Sequence, residues 1–189
     1  MNSGSCAYLD ESMRPEAGIY VLAAVLVPDR SAAPYRAALQ GLLMGRQPRL
    51  HWRDEGPKRR LEIAYALTDL SLDTIAVVGT EMPASKQKRA RRKCMERLYW
   101  RLGRRDVHRV IMESRGAAGN KEDLDMVNAL RARRMLANDL HVAWGDPRKE
   151  ALLWLPDIIA GVVASGVTGH GELLEILSDG LVIDRLGCA

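Results

Sequence analysis

The chain has 189 residues, of which 47% are hydrophobic and 28% charged, and these proportions exclude a disordered or fibrous protein. Its length predicts one compact domain over residues 1–189, because domains commonly contain about 100 to 200 residues. The net charge of +4 is modest but unevenly distributed, since ten Lys or Arg residues fall between Lys86 and Arg105.

The N-terminal segment, the apolar runs and the cysteines predict a cytoplasmic protein. Residues 1–6 lack the basic start and apolar core of a secretory signal. The longest apolar runs, at 19–27 and 158–163, are far shorter than the roughly 20 residues of a membrane-spanning helix, so we expect no membrane contact. Three widely spaced cysteines without a C-x-x-C pair are typical of reduced thiols and not of a zinc site.

The first third of the chain predicts paired strands followed by helices. Alternation and β-branched residues predict neighbouring strands at 6–11 and 19–27. Helical spacing of apolar residues predicts a helix at 31–44, and a second helix is predicted at 57–70, where the leading proline suits the first turn. Residues 50–52, between these helices, fit a short strand.

Strands alternate with helices in the rest of the chain. In chain order, we predict strand 74–80, helix 84–103, strand 107–113, helix 124–138, strand 141–144 and helix 151–165. The tail segments 172–177 and 181–183 fit either a hairpin or a helix, turn and strand. This order predicts an α/β three-layer domain with a mixed sheet, antiparallel in its first pair and parallel in the later strands.

Three carboxylates occur where the sequence pattern makes them unexpected. Asp10 ends an otherwise apolar strand, and Glu113 ends a strand whose centre is expected to be buried. Asp157 lies in the apolar segment 151–164, where small residues three, four and seven positions further on would let the helix approach the sheet closely. Each acid alone is also explained by a helix cap, by solvent exposure or by an ion pair.

Acids from two strand ends and one helix start would repel one another at a common edge unless a cation neutralised them. Oxygen ligands with few His or Cys residues favour Mg²⁺ or Mn²⁺. Two such ions about 4 Å apart can activate a water and stabilise the leaving oxygen during phosphodiester cleavage. Asp10, Glu113 and Asp157 are therefore candidate metal ligands and catalytic residues.

The order of short motifs resembles a known bacterial family, the domain of unknown function 3800. The motifs are Tyr-Leu-Asp-Glu-Ser at 8–12, Leu-His-Trp at 50–52, a strand closing on Glu113, and Leu-Pro-Asp-Ile-Ile-Ala-Gly at 155–161. Members of that family look like ribonuclease-H-like proteins that open with Tyr-x-Asp-Glu-Ser-Gly and close with Leu-Ala-Asp-x-x-Ala-Gly. Here Met13 and Pro156 replace a usual Gly and Ala, which affects the turn beside the site and the start of the last major helix.

The resemblance implies a ribonuclease-H-like fold with a five-stranded mixed sheet, of strand order 3-2-1-4-5, flanked by helices. It also implies that Asp10, Glu113 and Asp157 occupy the metal-binding carboxylate positions of that superfamily. The family has no settled activity, so it implies a fold and a site more directly than a substrate.

Three further residues are candidates near this site. The resemblance suggests a recurring histidine at His51, which would shuttle a proton or position a phosphate, because imidazole changes charge near neutral pH. A hydrogen-bonded loop histidine explains it equally well. Glu11, next to Asp10, and Asp146, after the strand at 141–144, are reserve ligands.

The basic helix at 84–103 predicts contact with nucleic acid, DNA or RNA, because its cations have few acids at i,i+4 to pair with. A solvated helix face is the alternative. The candidate nucleic-acid-binding residues are Lys86, Lys88, Arg89, Arg91, Arg92 and Lys93. Aromatic residues are only 5% and scattered, so a base-stacking surface is not supported.

The chain contains no G-x-x-x-x-G-K-[ST] or G-x-G-x-x-G motif, which argues against P-loop hydrolases and Rossmann oxidoreductases. It also contains no G-x-S-x-G or H-E-x-x-H motif, which argues against serine hydrolases of the G-x-S-x-G type and against zincins. These observations predict a nuclease that depends on a divalent metal. The alternatives are a catalytically silent module that binds nucleic acid or a protein on the same fold, and a structural subunit that assembles through an apolar helix face.

Overall fold

The computed structural model describes residues 4–137 and 139–189. Its strands are β1 (Ser5–Arg14), β2 (Ile19–Pro28), β3 (Asp73–Thr80), β4 (Val107–Glu113), β5 (His141–Gly145) and β6 (Leu181–Gly187). Its helices are α1 (Ala32–Gly41), α2 (Pro57–Thr68), α3 (Gln87–Leu102), α4 (Gly116–Ala132), α5 (Trp154–Val167) and α6 (Glu172–Ile176).

The sheet has six strands in the order β5-β4-β1-β2-β3-β6. Strand β2 pairs antiparallel with both β1 and β3, whereas β4 runs parallel to β1, and β5 runs parallel to β4. The first five strands therefore have the predicted order. The predicted strand number was too low, because the tail forms the short helix α6 and then β6, which pairs in parallel with β3.

Helices cover both faces of the sheet, which confirms the three-layer architecture. One face, called here the α5 face, packs against α1, α2, α5 and α6. The opposite face, the α3 face, packs against α3 and α4. The mixed sheet separates two apolar clusters, so the face on which a strand residue lies decides which layer its side chain meets.

Helix α5 lies against β1 and β2 and is apolar on all sides, as expected for a helix inside the core. Ten of its fourteen residues are buried. Asp157 is a charged residue in its first turn, where the partial positive charge of the helix N-terminus favours a carboxylate. No helix in the described parts of the chain has the length and apolarity to span a bilayer.

Two predicted elements differ from the structure. Residues 50–52 do not form a strand, and a 3-10 turn covers Trp52–Asp54. The Trp52 carbonyl accepts hydrogen bonds from the Arg60 guanidinium and not from a neighbouring strand. Helix α4 begins eight residues earlier than predicted, and the Asn120 side chain accepts a hydrogen bond from the Arg115 backbone N–H at 2.9 Å. The predicted end of this helix, Asn138, lies outside the described residues.

Candidate functional site

Side-chain alternation along β1 and β4 brings two predicted acids to the same face. Tyr8 on β1 packs in the α5-face core and Leu9 packs in the α3-face core, so Asp10 lies on the α5 face. On β4, Ile111 packs against the α5 face and Met112 against the α3 face, which places Glu113 beside Asp10. The parallel pairing of β1 and β4 therefore puts both carboxylates at one sheet edge.

Helix α5 adds Asp157 to this edge. Asp157 Oδ2 accepts a hydrogen bond from the Trp52 backbone N–H at 2.8 Å and lies 3.1 Å from His51 Nδ1. His51 and all three acids line one cleft of about 260 Å³. Residues far apart in sequence thus converge on one concave surface, which is the usual setting of an active site.

A tryptophan wedged between two elements holds the His51 segment in place. The Trp52 ring is buried against Gly161 of α5, where a Cβ atom would overlap the ring. Arg60 of α2 donates hydrogen bonds to the Trp52 carbonyl at 3.0–3.1 Å and lies over the ring, 5.2 Å from its centroid. The sequence pattern predicted that Gly161 is small so that its helix can approach the sheet. In the structure, Gly161 makes room for the Trp52 ring.

Gly161→Ala is expected to destabilise the protein by about 1–3 kcal/mol, because the added methyl group overpacks a buried contact. It should also displace Trp52, and with it the backbone N–H and the imidazole that contact Asp157. Urea unfolding measures the first effect. Gly41→Ala is the matched control, because a Cβ at Gly41 meets no atom within 4 Å. Equal stability of the Gly161 variant and the wild type would contradict this account of how Trp52 packs.

The Asp10 carboxyl lies in an environment that disfavours its charge. Burial raises its pKa well above the usual range, and the neighbouring Glu113 and Asp157 carboxylates raise this pKa further. Arg91 and Arg49 oppose the shift. Its only hydrogen bond among the described residues comes from the Glu11 backbone N–H, at 2.8 Å. A bound cation would therefore favour the ionised form of Asp10.

Asp10→Asn is therefore expected to stabilise the metal-free protein at neutral pH. The folded protein keeps the Asp10 proton to a higher pH than the unfolded chain, so ionisation costs stability as the pH rises from about 4 through the raised pKa. Below that window the stabilities of variant and wild type should converge. Urea unfolding in EDTA across this range measures the difference, with exposed Asp54→Asn as the control. Equal stability of the Asp10 variant and wild type at pH 7 would contradict the prediction.

The three carboxylates are ligand types that suit a hard divalent cation, but their side chains do not converge as a ligand set in this structure. Glu113 accepts a hydrogen bond from Arg49 at 3.2 Å, and Asp157 is bound by His51 and Trp52. Within residues 4–137 and 139–189, no group of three or more His, Cys, Asp or Glu side chains is arranged to hold a metal ion. The residue types fit Mg²⁺ or Mn²⁺, whereas ligation would require these side chains to change partners.

Glu11 lies on the other side of the sheet from the three acids. It points to the α3 face, where it forms an ion pair with Arg91, and its Oε1 lies 3.8 Å from Arg115 Nε. Arg91 also binds both oxygens of Asp123 at 2.8–2.9 Å and donates to the Tyr20 hydroxyl at 3.0 Å. Glu11 is thus engaged by arginines and points to the opposite sheet face from Asp10, although both residues line the cleft.

Arg91 consequently differs from the other five candidate nucleic-acid-binding residues. It is only 9% exposed, and its charge is matched by two carboxylates, so its guanidinium is not available on the surface of α3. The sequence carries a signal for this burial, because Arg91 lies three and four positions before the buried Cys94 and Met95 and continues their stripe. Asp123 and Arg60 carry no comparable signal, since only tertiary contacts give them their roles.

The other five cations lie at the surface of α3, on the sheet face opposite the three acids. Lys88 pairs with Glu122 at 2.7 Å, and Lys93 donates to the Gly187 carbonyl at 3.0 Å. Lys86, Arg89 and Arg92 are exposed and have no carboxylate partner in the described ranges. Asp146 lies outside the cleft and accepts a hydrogen bond from the Arg148 backbone N–H.

No protein-family model and no curated protein matches the chain. Among solved structures, the chain is similar to the RNase HII of the PCNA:RNase HII complex from Archaeoglobus fulgidus. The match has a TM-score of 0.54 at 14% sequence identity and covers 89% of this chain and 79% of the other. This similarity confirms the predicted ribonuclease-H-like fold class.

Proposed function

We propose that this protein is a divalent-metal-dependent nuclease that cleaves phosphodiester bonds in nucleic acid, and that it is a divergent member of the domain of unknown function 3800 family. One observation carries the proposal. The motifs that resemble that family are scattered along the chain, yet residues from each of them line one cleft, among them Asp10, His51, Glu113 and Asp157. The ribonuclease-H-like fold class supports the same reaction type.

In this proposal Asp10, Glu113 and Asp157 hold Mg²⁺ or Mn²⁺ through their oxygens. The bound ion would supply a polarised water and stabilise the charge that develops on the leaving oxygen. The raised pKa of Asp10 supports a cation-binding role, since the folded chain alone stabilises that carboxylate poorly. Arg49 would release Glu113 when the ion binds.

His51 would orient Asp157 through the contact between its ring and the carboxylate. Its Nδ1 faces Asp157 Oδ2 at 3.1 Å, which leaves Nε2 as the ring atom that would exchange a proton with the reacting phosphate ester. The Trp52 N–H fixes the same carboxylate oxygen. Both contacts pre-orient the helix-borne acid before substrate binds.

The cations on α3 and in the turn just before it, Lys86, Lys88, Arg89, Arg92 and the partly buried Lys93, would add electrostatic attraction for a nucleic acid in the cytoplasm. Each phosphate neutralised would steepen the salt dependence of binding by about 0.9 in log affinity per log salt concentration. Such contacts follow the backbone and carry no base specificity.

Calorimetric titration of Mn²⁺ into the wild-type protein, with a cleavage screen of DNA and RNA in Mg²⁺, Mn²⁺ and EDTA, tests the proposal. We expect metal binding and cleavage that EDTA abolishes. Cleavage that persists in EDTA, or its absence with every substrate and both metals, would overturn it.

The separation of the three acids by existing partners favours a second candidate, a catalytically silent module that binds nucleic acid or a protein. Under that alternative, binding needs no divalent metal and no cleavage accompanies it. The same titration and screen therefore separate the two functions.

A further inference from the structure

A second, larger groove lies next to the cleft. It has a volume of about 1030 Å³ and runs between the start of α2 and the segment that follows α5. Arg14 and Arg60 line both the groove and the cleft, so the two spaces adjoin at these side chains. A chain-like ligand bound at the three acids would reach the groove by extending past Arg14 and Arg60.

Strand β1 leads from the acids into this groove. Asp10, Ser12 and Arg14 occupy alternate positions of β1 and hence the same sheet face. At roughly 3.3 Å per residue, Arg14 lies about 13 Å further along the strand than Asp10. On the α5 face of β1, the acidic residue Asp10 is thus followed four residues later by the basic residue Arg14.

The cations around the junction of cleft and groove have no acidic partner among the described residues. Arg14, Arg53, Lys58 and Arg60 form no ion pair with any residue in 4–137 or 139–189. The groove also contains two acids, Glu16 and Glu172, which are exposed to solvent and pair with none of these four. On the opposite face, α3 uses Lys88, Arg91, Arg97 and Arg101 in ion pairs with acids of the fold, whereas Arg89 and Arg92 have no carboxylate partner among the described residues.

Resting on the proposed nuclease function, we propose that Arg14, Arg53, Lys58 and Arg60 form the primary binding track for the phosphodiester backbone of the strand that enters the cleft. The track lies on the same face as the three acids, whereas the exposed α3 cations Lys88, Arg89 and Arg92 lie on the other side of the sheet. A strand held at Asp10 meets Arg14 and Lys58 without crossing the sheet edge. The α3 cations then contact more distant parts of a long or double-stranded substrate.

The test compares two double variants by fluorescence anisotropy with fluorescein-labelled DNA and RNA oligonucleotides in EDTA, over a range of salt concentrations. Arg14→Ala with Lys58→Ala should weaken binding and lower the steepness of log affinity against log salt by roughly 1.4 to 1.8, about 0.7 for each phosphate no longer neutralised on a single strand and about 0.9 on a duplex. Arg30→Ala is the matched control. Arg30 is exposed and forms no ion pair in the described part of the chain. It follows β2, at the opposite end of the strands from the three acids. Arg60 is left unchanged because it holds Trp52.

The comparison variant is Arg89→Ala with Arg92→Ala on α3, which should change affinity for a short single strand less than the groove variant does. The inference is overturned if the α3 variant loses the salt-dependent binding while the groove variant keeps it, or if the wild type binds neither DNA nor RNA. The outcomes also separate the inference from the function. Weaker binding by the groove variant, without any cleavage by the wild type, supports the binding track and rejects the nuclease function. Metal-dependent cleavage by the wild type, with unchanged binding by the groove variant, supports the nuclease function and rejects the binding track.

Discussion

Asp157→Asn is expected to lower metal-dependent cleavage by on the order of 10³-fold, because it removes a charge from the group of acids that stabilises the reacting centre. Asparagine keeps an oxygen that can accept the Trp52 N–H hydrogen bond, so the start of α5 should remain intact. Mn²⁺ binding measured by calorimetry should weaken in parallel with cleavage. Circular dichroism and urea unfolding check that the fold is retained.

Asp54→Asn provides the matched control for this experiment. Asp54 lies in the 3-10 turn that follows His51, is exposed and does not line the cleft. It loses the same charge close to the site without touching the three acids, and its cleavage rate should equal that of the wild type. Undiminished cleavage by the Asp157 variant would reject its role, and equal reductions in both variants would point to a general electrostatic effect.

Arg91→Ala is expected to destabilise the protein by about 3–5 kcal/mol, the cost of leaving buried carboxylates without their partner. Asp123 has a side-chain exposure of only 2%, and Asp123 and Glu11 would both retain only Arg115 as a partner. A change of this size is a large part of the stability of a typical domain. Urea unfolding at neutral pH measures it, and Arg91→Lys should recover only part of the stability, because lysine cannot reproduce the two-pronged contact with Asp123.

Arg92→Ala is the control for this prediction, because it removes the same charge from an exposed position. Arg92 is the next residue along α3, is exposed and has no ion-pair partner in the described part of the chain. Its removal should change the free energy of unfolding by no more than about 0.5 kcal/mol, as is usual for surface positions. Similar stabilities for the two variants would show that the Arg91 network contributes little to the fold.

These two adjacent arginines show why a run of basic residues does not define one surface. Helix α3 turns by roughly 100° per residue, so neighbours along the run face different environments. Arg91 faces Asp123 and Glu11 in the interior, whereas Arg92 faces solvent. Part of the positive charge therefore stabilises the fold, and only the remainder is available to a ligand.

The sequence pattern by itself determined the alternation of strands and helices, whereas the order of the first five strands was implied by the resemblance of its motifs to a known family. It also singled out Asp10, Glu113 and Asp157, because apolar periodicity is a local property and a carboxylate that interrupts it is conspicuous. The separation of Asp10 from Glu11 follows from the same alternation, since adjacent strand residues point to opposite faces.

Only the tertiary structure decided which side chains these residues meet. The pairing of β6 with β3, the burial of Arg91 against Asp123, and the seating of Trp52 on Gly161 all join residues from distant segments. Ion pairs across a fold leave no i,i+4 pattern, so the cations of α3 looked unpaired in the sequence although several are matched by acids on other elements. The face on which each cation lies, and with it the expected path of a bound strand, is set by the packing of helices on the sheet.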